Sequence, residues 1–115
     1  MTLMPMQVTF RGIAHSDALE ADIREQGAKL ERFARTIVGC RVLIDAPHRR
    51  HHDGPHFHVR VEVTIPGVPP IVVVHDTAPP TDAYLTVHQA FEAVRRQLQD
   101  ATREQRHDVK ARAAG

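Results

Sequence analysis

Four cations near the C-terminus carry the strongest chemical signal in this chain: Arg96, Arg103, Arg106 and Lys110. At 100° per helical residue they fall within about 80° of one another. A guanidinium presents a planar fork of donors that meets two phosphate oxygens at once. Four such cations along one side of a helix suit a polyanion, through counterion release and positioning contacts. Asp100, Glu104 and Asp108 fall on a different side. The same pattern also fits ordinary solvated cations, because Glu92, Arg96 and Asp100 are spaced four apart and pair at helical distance. Pattern alone leaves both readings open.

The histidines are the second group with chemical potential. There are nine, and His48, His51, His52, His56 and His58 crowd one segment with Asp53 among them. Imidazole is a common metal ligand. However, adjacent His51 and His52 do not readily converge on one ion, the spacing matches no zinc signature, and Arg49 and Arg50 repel a cation. The segment therefore reads as a polar, partly basic hairpin loop, with a metal site at these five histidines as the alternative.

Covalent catalysis finds no frame. The chain has no Gly-x-Ser-x-Gly elbow, no Cys-His arrangement and no glycine-rich phosphate loop. His75 and Asp76 are neighbours on a predicted strand and so point to opposite faces. Its carboxylates are spread along helix surfaces. Neither an enzyme nor a cofactor is expected, and no small-molecule substrate. Without Trp and with a single Tyr, an aromatic platform for bases is not expected; RNA, if bound, is read through shape and backbone.

The elements that position these residues follow from periodicity. Val8–Gly12 alternates as a short strand. Ser16 is placed to cap a helix, with Asp17 complementing its dipole, and Leu19, Ile23, Leu30, Phe33 and Ile37 lie near one face. Gly27 interrupts that helix, where it permits close approach to a sheet, and Gly39 closes the region. Cys40–Ala46 is a second strand. Pro47–Pro55 is a polar loop. Phe57–Ile65 alternates strictly, with one face packed and one wet. Pro66-Gly67 turns the chain into an apolar strand, Pro70–Asp76. After Ala78-Pro79-Pro80, Thr81 or Asp82 caps a last helix through Lys110, whose stripe is Tyr84, Val87, Phe91, Val94 and Leu98. No internal repeat is visible.

The predicted order is β-α-β-β-β-α: an α+β domain over residues 6–110, with a frayed tail at 111–115. The strand–helix–strand start favours a parallel pair and the short loops an antiparallel meander. Both helices then cover one face of a four-stranded mixed sheet. A length of 115 residues bounds the chain to one domain. Net charge is only +1, so an anion-binding surface must arise by segregation. Thirteen of fifteen cations are Arg, which suits phosphate contacts and also suits a GC-rich genome. Cys40 is the only cysteine and reads as a small buried hydrophobe, with no disulfide or zinc ribbon. With no long apolar run and no signal-peptide start, the chain is expected to be cytoplasmic, with no membrane partner.

The segment Ala28-Lys29-Leu30-Glu31-Arg32-Phe33, the later Asp82-Ala83-Tyr84, and Arg96-Gln97-Leu98 resemble, in that order and separation, the hibernation-promoting factor and ribosome-associated inhibitor family of bacteria. The resemblance spans Met6 to about Lys110. It implies a fold similar to the double-stranded-RNA-binding domain. It also implies binding to the small ribosomal subunit and its rRNA in the mRNA/tRNA channel, silencing and protecting idle ribosomes in stationary phase. The family sets helix cations against rRNA. Lys29 and Arg96 match those positions best, Arg32 sits in the same first-helix motif, and Arg103, Arg106 and Lys110 lie in the basic C-terminal region. Without the second domain by which long members pair ribosomes, the chain resembles a short or divergent type. Two rivals stand beside this reading: a protein-interaction or stress-regulatory module on the same fold, and a metal-binding protein using the histidine loop. Oligomeric state is not legible.

Overall fold

The computed structural model describes residues 4–46, 57–77 and 83–114, without the side chains of 77, 102 and 104–114. Six elements follow in chain order: β1 (Met6–Arg11), α1 (Asp17–Phe33), β2 (Gly39–Asp45), β3 (Phe57–Thr64), β4 (Ile71–Thr77) and α2 (Ala83–Ala114). The four strands form one sheet in the order β1-β2-β3-β4. β1 and β2 are parallel, with Val8 opposite Val42. This pairing requires the crossover that α1 supplies. The β2–β3 and β3–β4 pairs are antiparallel, with Val42 opposite Val61 and Val61 opposite Val73. The α+β order and mixed sheet expected from the sequence are present.

Strand alternation decides which face packs. Cys40, Val42 and Ile44 of β2, Val59, Val61 and Val63 of β3, and Ile71 and Val73 of β4 are buried. Arg41, Arg60, Val72 and Val74 face outward and are exposed. Both helices cover the inner face. α1 brings Leu19, Ile23 and Leu30, and α2 brings Val87, Ala90, Phe91, Val94 and Leu98. The Ser16 hydroxyl caps α1 by accepting from the Leu19 N–H at 3.2 Å. Gly27 is buried, and a Cβ there would lie 2.6 Å from Met6 Sδ. The missing side chain thus lets α1 lie close on β1.

Burial pushes the Cys40 thiol up to about 12. It is therefore unreactive toward a disulfide reagent at pH 8 until the chain unfolds, which a labelling time course checks. Because its folded value is raised, the neutral thiol favours the fold below the ordinary value near 9. That contribution is lost as pH rises from there towards 12, and a C40A variant removes this alkaline slope.

The structure corrects the sequence reading at several places. β1 starts at Met6 and ends at Arg11, because Gly12 turns away with φ +73. α1 ends at Phe33, where the Ala34 N–H donates to the Leu30 carbonyl at 2.9 Å with extended dihedrals. Gly39 accordingly opens β2 instead of closing the helix. Phe33 and Tyr84 leave the core and are 46% and 41% exposed. Phe33 lies three residues past Leu30, so it is rotated about 60° around the helix, toward the α2 side. Tyr84 lies in the first turn of α2 at the edge of the buried face, which runs through Ala83, Thr86, Val87 and Ala90. Thr81, Asp82 and the loop Pro47–Pro55 lie outside the described residues.

α2 continues to Ala114, sixteen residues past Leu98, the last buried residue among those whose side chains are described. At 1.5 Å per residue that is about 24 Å of helix. The molecule measures 60 × 32 × 18 Å, and this arm accounts for much of the long dimension.

Candidate nucleic-acid interface

The outer surface of the helix layer and the outer surface of the sheet both carry charge, and their pairing separates them. On the sheet, Arg11 lies across from Asp45 and donates to it twice, at 2.8 and 3.1 Å. That contact raises the Arg11 pKa. Arg60 lies 3.6 Å from Glu62. Asp76 lies against the His58 ring. Arg11 and Arg60 on the sheet are thus answered by acids, while Arg41 is exposed beside them.

The helix layer is different. Lys29 is exposed, with only a 4.0 Å approach to the equally exposed Glu25. Arg96 is 71% exposed at its side chain, and Glu92 lies 3.9 Å away. Exposed pairs this long contribute little. Arg32, Arg35 and Arg103 are exposed. Helical periodicity and helix packing produce this layout: α1 turns Asp22, Gln26 and Lys29 toward α2, while Arg24 on the far flank reaches the Met6 carbonyl at 3.4 Å. Asp22 accepts from the His88 ring at 2.8 Å, which ties the helices together across their seam.

Two shallow grooves share His88 and Glu92. The first runs between the helices and is lined by Lys29, Leu30, Phe91 and Arg95. The second runs between α2 and β4 and is lined by His75, Ala93 and Arg96. Lys29 and Arg96, predicted from separate helices, therefore flank one ridge. Arg32 and Arg103 lie on exposed helix surface outside these grooves. Arg106 and Lys110 are within α2, with side chains outside the described residues. Of the five loop histidines only His58 is described, at the second position of β3. Among the described residues no group of three His, Cys, Asp or Glu could hold a metal ion.

Sequence reasoning missed two residues. Arg95 donates to both Glu92 oxygens, at 2.6 and 3.1 Å. This hydrogen bonding holds the Glu92 carboxyl below its ordinary value and the guanidinium above its own. Glu92 pairs with Arg96 at 3.9 Å as the spacing predicts, and Arg95 engages it more closely at i,i+3. The Arg95 guanidinium carbon also lies 5.7 Å from the centroid of the exposed Phe33 ring. Placement of Phe33 on the apolar stripe concealed this pair; the only available signal was its position at the helix end.

A four-stranded sheet under two helices, with exposed cations on the helix layer, defines a small α+β domain. The chain belongs to the sigma 54 modulation protein / S30EA ribosomal protein family, whose model matches residues 6–106. Membership gives it a ribosome-associated role. No curated protein matches the sequence. The fold is similar to that of a ribosomal subunit interface protein from Coxiella burnetii, with TM-score 0.67 and 20% identity over 86% of this chain and 98% of that one. It is also similar to the Protein Y N-terminal domain of Thermus thermophilus, with TM-score 0.66 and 16% identity over 85% and 98% of the two chains. Among the described residues no helix is long and apolar enough to cross a membrane.

Proposed function

We propose that this protein is a non-enzymatic translation regulator that occupies the mRNA/tRNA channel of the small ribosomal subunit and silences or protects idle ribosomes. The observation that carries the reading is the cation layout in a member of this family. Lys29 and Arg96 flank one exposed ridge, and the helix bearing Arg96 and Arg103 outlasts the core. Mechanistically, the domain acts as a plug. The rigid helix layer presents guanidinium and ammonium groups to rRNA phosphates, and the bulk of the fold excludes other occupants from the channel.

The contacts assigned are Lys29, Arg32, Arg96, Arg103, Arg106 and Lys110. If each neutralises one phosphate, log K falls with log salt at a slope of about −4 to −5. Between 50 and 200 mM salt that is roughly a thousandfold loss of affinity. Co-sedimentation of the purified chain with small subunits across a salt series tests this. A flat salt response would point instead to a protein-interaction module on the same fold.

A further inference from the structure

We propose that Phe33 and Arg95 together form a stacking site for one unpaired RNA base. The inference rests on the rRNA-binding reading above and adds to it a contact with a base instead of a phosphate. An aromatic ring left 46% exposed forgoes stabilisation it would gain in the core. Here the ring is not bare: the Arg95 guanidinium sits 5.7 Å from its centroid. Two hydrogen bonds to Glu92 fix that guanidinium in place. Because Glu92 answers its charge, Arg95 is poorly suited to a phosphate; its planar face remains usable. Guanidinium planes and aromatic rings are the two surfaces on which splayed RNA bases stack.

The surroundings fit an RNA strand in charge. Arg95 also lines the shallow groove between the helices, beside Lys29, Leu30 and Phe91. Lys29, Arg32 and Arg35, all exposed, stand within a turn of Phe33 along the chain and are placed to hold the flanking phosphates.

The test measures affinity for purified small ribosomal subunits at several salt concentrations. F33L keeps apolar bulk and removes the ring; R95K keeps charge and removes the guanidinium plane; F33W enlarges the ring. F33L and R95K are expected to bind about tenfold to a hundredfold more weakly. Their salt slope stays at the wild-type value, since no phosphate contact is lost. F33W binds at least as tightly as wild type. A thermal melt checks folding, and R95K, altered at an exposed side chain, carries the test if F33L does not fold. F33L and R95K both within twofold of wild type would overturn the stacking site while leaving the ribosome reading intact. Failure of the wild-type chain to bind small subunits would overturn both.

Discussion

Reversing charge at Arg96, Arg103 and Arg106 together (R96E, R103E, R106E) is expected to abolish co-sedimentation with small subunits, at least a hundredfold in affinity. Each reversal removes a charge-assisted contact worth about 1.5–3 kcal/mol and sets a carboxylate against a phosphate. At moderate salt the loss exceeds what the remaining Lys29, Arg32 and Lys110 supply. The salt slope falls by about 2 to 3, because three fewer counterions are released. Folding is expected to survive. Arg96 is 71% exposed at its side chain with only a 3.9 Å approach to Glu92, and Arg103 is exposed. Exposed substitutions of this kind stay within about 0.5 kcal/mol. Circular dichroism and a melt verify this. A double reversal on the outer sheet face, R41E with R60E, serves as the control and is expected to keep binding within a few fold. If the triple variant still pellets with subunits at moderate salt, the helix layer is not the binding surface.

The fold was legible because its two periodicities are clean. Strict alternation from Phe57 to Ile65 identified β3 and its packed face, and Val59, Val61 and Val63 are fully buried. Steps of three and four from Val87 to Leu98 identified the buried side of α2. Periodicity says nothing about where a helix stops being covered, and this is why Phe33 and Tyr84 were misassigned. Each sits at a helix end on the edge of the apolar stripe, rotated away from the residues that pack. The site was half legible for a related reason. Lys29 came from family resemblance and Arg96 first from helical spacing, yet their placement on either side of His88 and Glu92 depends on how α1 docks against α2. Local spacing offers Glu92 two guanidinium groups, at i+3 and i+4; the structure gives it to Arg95, which leaves Arg96 the more available cation. Sequence distance alone does not choose between them, because both spacings bring side chains together on a helix.

Leu98→Ala is expected to cost both stability and binding. Leu98 is 1% exposed and is the last buried residue of α2 among the described side chains. Emptying such a site costs about 2–5 kcal/mol through lost burial and the cavity left behind. Against a total of about 5–15 kcal/mol, that is a large fraction, and it lowers Tm by roughly 10 °C or more. The position matters beyond its volume. Without Leu98 the last fully buried anchor is Val94, one turn back, so Arg96 moves from the supported part of the helix to the arm. Isolated helices are marginal in water, since packing provides most of their stability. The arm therefore frays from its base, and Arg96 and Arg103 lose the fixed spacing that lets them meet successive phosphates. Amide hydrogen exchange reads this directly: protection drops from Arg95 onward in L98A while β3 keeps its own ranking. Gln97→Ala, at an exposed neighbour, is expected to change stability by less than about 0.5 kcal/mol and to leave the arm protected. Should L98A melt within a degree or two of wild type, the core does not hold the arm at Leu98, and the cations beyond it must be positioned by the ribosome itself.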